Sequence, residues 1–389
     1  MRIAYINRVR WPSNIPASPF TTFNTCAMAR RGAEVYLFVR RASDESTEEI
    51  LRREFGLAPL PNFHIIPCPP FRFAGRTTNQ GLYWHAVRRI LRLHRQDPID
   101  AVMSRDPACL PYLCLLRRLS GIPIFYESHN FYVDLRLRPD LAPENRLTYH
   151  FWERCCIPRL DGMFGLQAPH AALYRRYFPR QHIGVAHPGI ARTEPARTDR
   201  YANRCVGYIG SFQPFKGIDV LLDALRELQD LPVRLLAIGG RTERAVARVQ
   251  ERVEKLGLKD RVTLTGWIPY TQLEALLDRM SVGVVPLRNT FYNRYLTGPS
   301  KLFDYLSRGI PIVASDLPSI RDFIAHRREG LLIRPDASGH LARALRRILT
   351  SESLFRSCER DARGRAETLL WDRRAETILD FIETCRRSP

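Results

Sequence analysis

Asn293-Arg-Tyr-Leu-Thr-Gly-Pro-Ser-Lys-Leu-Phe-Asp-Tyr-Leu-Ser-Arg-Gly-Ile-Pro-Ile-Val-Ala-Ser315 passes from loop to helix to strand in one run. Gly298 and Pro299 belong to the loop, and Ser300 is placed to cap a helix. Leu302, Phe303 and Leu306 give that helix an apolar face. Gly309 ends it, Pro311 keeps it ended, and Ile310 to Ala314 read as a buried strand. A helix N-terminus offers free N–H groups and the positive end of a dipole, which suits phosphate. Lys301 adds a full positive charge at that point. Asp304 lies one turn beyond Ser300 on the same face, where its carboxylate could accept two hydrogen bonds from a ribose diol. Loop, cation and carboxylate together suit a nucleoside diphosphate. An ordinary capped helix in an α/β layer leaves the same local pattern, so the ligand reading depends on the rest of the chain.

Around this run, the second half alternates strands and helices. Strands are predicted at 205–209, 233–238, 262–265, 282–286, 310–314 and 330–333. Gly210-Ser-Phe-Gln-Pro-Phe-Lys-Gly217 follows the first of them and precedes the helical pattern Ile218–Leu225. Lys216 therefore falls at a strand-to-helix connection, where a diphosphate is plausible and a solvated surface lysine is equally ordinary. The chain has only four lysines among its sixty basic residues, and two of the four sit at such turns. Gly239-Gly240 and Gly266-Trp-Ile-Pro269 follow two further strands. They permit close backbone approach to a ligand, or simply make turns.

The first half repeats the alternation, with strands predicted at 2–7, 34–40, 63–67, 101–104, 123–128 and 162–166, and helices at 82–95 and 109–119. Strands alternating with helices imply parallel sheets covered on both faces, with ligands at the carboxyl ends of the strands. The loop predicted over 7–22 lacks the GxGxxG dinucleotide fingerprint and could border an acceptor instead. Pro123-Ile-Phe-Tyr-Glu-Ser-His-Asn130 runs from apolar residues into a polar cluster. His129 there could donate to a sugar hydroxyl or assist at a reacting centre, or merely cap the next segment. The polar run Thr193-Glu-Pro-Ala-Arg-Thr-Asp-Arg200 reads as an exposed connection between domains. Trp371–Arg387 reads as an amphipathic helix packed on the body. The expected division is 1–190, 191–370 and the helical segment 371–389.

The 389 residues suffice for two domains, each with its own core. No run of eighteen apolar residues suggests a membrane span, and the N-terminus enters a strand directly without a signal-peptide pattern. Nine scattered cysteines without a CxxC pair suggest neither a zinc site nor a disulfide framework, which fits a reducing cytoplasm. The net charge is +20 and the pI about 10.1. Residues 1–190 carry 26 basic and 15 acidic side chains and the remainder 34 and 25, so the excess is no basic tail. GC-rich coding alone can produce such an arginine bias. A broadly positive surface also fits peripheral attachment to an anionic membrane, on its inner face. Nucleic acid fits less well, because no recognition motif or readable aromatic platform accompanies the charge.

Together these features resemble the retaining GT-B glycosyltransferases of family four, the glycosyl transferases group 1. The resemblance spans nearly the whole chain. It is most specific at Pro299-Ser-Lys-Leu-Phe-Asp-Tyr-Leu306 with Gly309–Ser315, and next at Gly210 with Lys216-Gly217. It implies two Rossmann-like domains with parallel sheets facing a cleft, the first for the acceptor and the second for the nucleotide-sugar. On that resemblance Asp304 matches the second glutamate of the family's two-glutamate motif and binds the ribose. Ser300, Lys301 and Leu302 lie beside the diphosphate, with Gly210, Ser211 and Lys216 opposite, and the backbone of Trp267 and Ile268 meets the base. His129, Lys216 and Lys301 are the residues implied in the chemistry. Two positions depart from the pattern. The motif's first glutamate falls on Leu296, leaving Thr297 and Gly298 as local candidates for the donor sugar. The arginine that often follows the phosphate-loop glycine is Ser211.

The expected reaction is transfer of a sugar, with retention, from a UDP- or GDP-linked donor to a glycan or lipid-linked acceptor. No DxD pair is present, so no metal and no other cofactor is expected. A sugar-nucleotide 2-epimerase of the same architecture and a non-catalytic nucleotide-binding protein are the alternatives. Incubation with a UDP-sugar and no acceptor separates them, since only an epimerase changes the sugar.

Overall fold

The computed structural model describes residues 1–13, 15–69, 71–73, 76–194, 200–240, 242–268 and 270–387. The chain divides into two compact units, Met1–Gly189 with Trp371–Pro389, and Ile190–Leu370. Each has its own parallel sheet with helices between the strands.

The first unit holds β1 (Arg2–Trp11), β2 (Glu34–Arg41), β3 (Phe63–Pro67), the small antiparallel pair β4 (Phe71–Phe73) and β5 (Arg76–Thr78), then β6 (Ala101–Ser104), β7 (Ile124–Glu127), β8 (Gly162–Gly165) and β9 (Ile183–Val185). Seven of these form one sheet in the order β3-β2-β1-β6-β7-β8-β9, every pairing parallel. Ile3, Ala4, Tyr5 and Ile6 are all fully buried, as a strand covered on both faces requires. The strand order reverses beside β1, which opens a crevice at the carboxyl ends of β1 and β6. Helix Trp371–Arg387 belongs to this unit. Its Trp371, Ala375, Ile378 and Ile382 follow helical spacing and join the core around β1.

The second unit holds β10 (Cys205–Gly210), β11 (Arg234–Gly239), β12 (Val262–Leu264), β13 (Val282–Val285), β14 (Ile312–Ser315) and β15 (Gly330–Ile333). Their order is β12-β11-β10-β13-β14-β15, again parallel, and it reverses between β10 and β13. Alternate residues of β11 feed two cores. Leu235 and Ala237 join Leu221, Leu225 and Leu345, while Leu236 and Ile238 join Leu302, Leu306 and Phe323.

Several expectations need correction. The stretch 7–22 is not one loop, because β1 continues to Trp11 and a helix occupies Ala17–Arg30. The extension pairs Arg10 and Trp11 with β2 after a register shift. β9 was not legible, being three residues long. The strand expected at 310–314 begins at Ile312, since Gly309 still belongs to the helix exit at φ 63. The connection 193–200 is not uniformly exposed. Residues 195–199 lie outside the described residues, and Arg200 is 1% exposed, donating to the carbonyls of Leu277 and Met280 at 3.2 and 2.7 Å.

Candidate functional site

In the second unit the site is assembled at the carboxyl ends of β10 and β13. Gly210 ends β10, and a side chain on its sheet neighbour Gly239 would lie 1.9 Å from the Gly210 carbonyl oxygen. Pro214–Lys216 then form one 3-10 turn, and Gly217, at φ 74, starts the helix Ile218–Arg226. A Cβ on Gly217 would meet the Pro286 carbonyl oxygen at 1.8 Å. Glycine is thus what lets the turn close onto the end of β13.

This packing places Lys216 against aromatic rings, its Nζ 4.9 Å from the centre of Phe215 and 5.7 Å from that of Tyr292. Burial lowers its pKa to about 8. Lys301, in the first turn of the helix Ser300–Ser307, is 6% exposed. Its Nζ lies 4.2 Å over the Tyr208 ring, is buried, and has no hydrogen-bond partner. Burial, with the charge of Lys216 added, pushes its pKa well below the ordinary lysine value. Two lysine side chains held over aromatic faces, one of them in the first turn of a helix and lowered by the charge of the other, have the chemistry that an anion with more than one charge would need.

The other expected residues have distinct places. Ser300 is exposed and does not cap the helix: Pro299 holds the cap position, with no side-chain cap bond. Leu302 is fully buried in the core and its N–H donates to the Pro299 carbonyl at 2.9 Å, so it contributes packing. Asp304 is half-buried, one turn further along. Thr297 is 3% exposed, its N–H donating to Tyr292 O at 3.1 Å, and Gly298 is half-buried beside it. Trp267 is 62% exposed, beyond Gly266 at φ 68, while Ile268 packs on the core. Ser211 donates to Gln213 Oε1 at 3.1 Å and lines a cavity of about 650 Å³ with Pro214, Thr242, Arg244 and Arg248. These two arginines, one turn apart on the helix Glu243–Lys255, bring cations to the neighbourhood of Ser211. Only their spacing was visible beforehand.

His129 belongs to the first unit, beyond the carboxyl end of β7. Arg105 Nη2 donates to His129 Nδ1 at 2.8 Å, which leaves the ring proton on Nε2, and that N–H donates to Glu127 Oε1 at 2.5 Å. Arg374 Nη2 donates to Glu127 Oε2 at 2.6 Å. Burial raises the Glu127 carboxyl, but Arg374, His129 and Arg105 outweigh it and hold it at about 2. Burial and the Arg105 charge lower His129 to about 3 despite Glu127, so the imidazole is neutral at physiological pH. Phe20 lies edge-on to His129, with Arg105 and Arg374 over its ring at 4.6 and 5.0 Å. Both ring nitrogens of His129 are thus engaged by protein groups. Arg105 Nη1 is buried with no partner, and sequence reasoning missed this residue because nothing in Met103-Ser-Arg-Asp106 marks it.

Among the described residues no group of three His, Cys, Asp or Glu side chains could hold a metal ion. Nor, among the described residues, is any helix long and apolar enough to cross a membrane.

The family model for glycosyl transferases group 1 matches residues 203–351, and that for glycosyltransferase family 4 matches residues 25–194. The chain is a glycosyltransferase of the GT-B type. It is 25% identical over 380 residues to the D-inositol 3-phosphate glycosyltransferase of Rhodococcus erythropolis, covering 91% of this chain and 83% of that one. Its fold is similar to that of sucrose-phosphate synthase from Thermosynechococcus elongatus, with a TM-score of 0.73 at 19% identity over the full length of both. It is similar as well to Anabaena HepE, solved in complex with UDP, with a TM-score of 0.70 at 16% identity over 99% of this chain and 100% of that one. In this glycosyltransferase the two lysines lie in the segment matched by the group 1 model, and His129 in that matched by the family 4 model.

Proposed function

We propose that this glycosyltransferase moves a sugar from a UDP- or GDP-linked donor to a glycan or lipid-linked acceptor, with retention and without a metal. The observation that carries the reading is the Lys301 ammonium, buried and without a partner beside Lys216. A buried cation left alone is costly, and a diphosphate would supply the missing partner. Negative charge grows on the diphosphate as the glycosidic bond breaks. On this reading Lys301, Lys216 and the N–H groups at the start of the helix Ser300–Ser307 stabilise it. The same reading gives Asp304 the ribose hydroxyls, and Trp267 and Ile268 the base. The acceptor oxygen then attacks on the face the diphosphate leaves, and no enzymic nucleophile is required. The UDP held by HepE supports the choice of donor class. The Rhodococcus relative acts, by its name, on an inositol phosphate, which makes a phosphorylated polyol the first acceptor to try beside glycans and lipid-linked sugars.

The test is calorimetric titration of UDP, GDP and uridine into the parent, Asp304→Asn and Lys301→Ala, with folding checked by thermal melts. Loss of a charge-assisted bond costs roughly 1.5–3 kcal/mol, or ten- to a hundredfold in affinity. Asp304→Asn is expected to weaken UDP and uridine alike, whereas Lys301→Ala weakens UDP and spares uridine. Transfer is expected to continue in excess EDTA. Folded variants that bind nucleotides like the parent, or turnover lost to EDTA and restored by manganese, would overturn the corresponding part of the reading.

A further inference from the structure

Three helices of the first unit leave an outer surface that the transfer reaction does not use. Helix Leu110–Ser120 lies between helix Gln80–Gln96 and helix Arg146–Cys156 and touches both. Each buries one face. Gln80–Gln96 turns Leu82, Tyr83, Ala86, Val87 and Ile90 inward; Leu110–Ser120 turns in Leu110, Leu113 and Leu116; Arg146–Cys156 turns in Glu153 and Cys156. The opposite stripes are not simply polar. Trp84 is 48% exposed, Leu119 58%, Leu147 67% and Phe151 62%. These are four of the six large apolar side chains that stand exposed among the described residues.

The charge on the same helices has one sign. They carry eight arginines, and their only acidic residue is Glu153, which is fully buried. Arg88, Arg89, Arg92 and Arg95 are exposed along the stripe that begins at Trp84, Arg118 stands beside Leu119, and Arg154 one turn from Phe151. A solvated helix face normally mixes both signs, whereas these three adjoining helices expose four large apolar side chains and no acidic side chain of their own. Apolar side chains projecting through a field of arginines match the boundary of an anionic bilayer, where aromatic and aliphatic groups enter the acyl region and guanidinium groups meet phosphate. A protein partner would need a matching acidic and apolar surface. A bilayer offers both over any area, which favours it as the occupant.

We infer that this three-helix face docks the enzyme on an anionic lipid surface. The inference stands apart from the transfer reaction, because lipid binding is measurable without donor or acceptor. The experiment is flotation of the full chain with vesicles of phosphatidylcholine alone and of phosphatidylcholine with phosphatidylglycerol, across a range of salt. The parent is expected to float with the anionic vesicles and to be released as salt rises, since screening shortens the reach of the arginines. Leu147→Ser with Phe151→Ser, and separately Arg88→Glu with Arg92→Glu, are each expected to lower vesicle binding about tenfold or more. The same charge reversal on the second unit, Arg343→Glu with Arg347→Glu, is expected to leave it near the parent level. Thermal melts of every variant report folding independently of lipid and of nucleotide. The inference is overturned if the parent binds both vesicle types equally or neither, or if the face variants bind like the control. It is overturned too if the parent is a dimer that the face variants make monomeric without any vesicle binding, which would give the face to a second copy of the chain.

Discussion

Lys216 shows how far a single side chain is defined by what surrounds it. In sequence it is one lysine after Pro214-Phe215, and either a surface residue or a ligand group. In the structure its ammonium sits against Phe215 and Tyr292, and burial lowers its pKa to about 8 from the ordinary 10.5. The unfolded chain keeps the proton to higher pH, so more protons are bound unfolded than folded between about 8 and 10.5. Stability of the unliganded protein therefore rises with pH across that window. A bound diphosphate reverses the preference and restores the proton. UDP binding is thus expected to take up a proton above about pH 8 and to weaken as pH rises further. Calorimetry in two buffers of different ionisation enthalpy measures the uptake. Binding without proton uptake at about pH 9 would place the anion away from Lys216. Neither shift nor orphaned amine was legible beforehand, because both depend on rings brought in from β10 and from the helix Phe291–Tyr295.

At the scale of elements, turns matter as much as strands. Most strands were legible, because a strand covered on both faces is a continuous apolar run between glycines and polar residues. Ends were less so. Ser300 has the chemistry of a cap, yet Pro299 takes the position because the loop approaches the helix already extended, at φ −72 and ψ 107. Gly217 is the reverse case, an ordinary glycine in sequence whose place is decided by the neighbouring strand. Its left-handed φ alone costs an alanine about 1 kcal/mol. The methyl would also lie 1.8 Å from the Pro286 carbonyl oxygen, which is backbone and cannot step aside. Gly217→Ala is therefore expected to destabilise by more than about 3 kcal/mol, well beyond an exposed αL glycine. The control is Gly257→Ala, also at positive φ but with open space around the missing Cβ. Denaturant unfolding of the two variants makes the comparison, and equal losses would mean that the turn shifts to admit the methyl.

Across the whole molecule, the chain's last helix determines the state of a group near its middle. Arg374 is 5% exposed and pairs with Glu127, which is fully buried, across 247 positions of sequence. It also donates to Asn24 Oδ1 at 2.8 Å and to the carbonyls of Ala186 and His187. Removing one member of a buried pair leaves the other charge alone, at a cost of about 3–5 kcal/mol. Arg374→Met is expected to lose that much while keeping a side chain of similar bulk beside the Trp371 ring. The pH dependence has a definite sign. Glu127 is held at about 2 and His129 at about 3, both below their ordinary values of 4.5 and 6.5. Each therefore contributes stability that is present above its ordinary value and lost as pH falls toward its folded one. The parent is expected to soften below about pH 6.5 and further below about 4.5, with Arg374→Met failing at higher pH than the parent. Thermal melts from neutral to acid pH measure this. Overlapping curves would show that Glu127 is neutralised by other groups.

What the sequence determined by itself is local. Apolar runs, glycines and prolines set the strands, the helices between them and hence the parallel α/β architecture. The run from Gly298 to Ser315 also raised the expectation of an anion site, since a cation at a helix start needs only a few neighbouring residues to be recognised. The tertiary structure decided which groups are left without partners and which are silenced. It removed the ammonium of Lys301 from water over Tyr208, engaged both nitrogens of His129 and left Arg105 Nη1 alone. It also set three acid-free stripes side by side on one surface. Burial and pairing depend on residues tens to hundreds of positions away, and no short stretch of chain contains the other side of its own contacts.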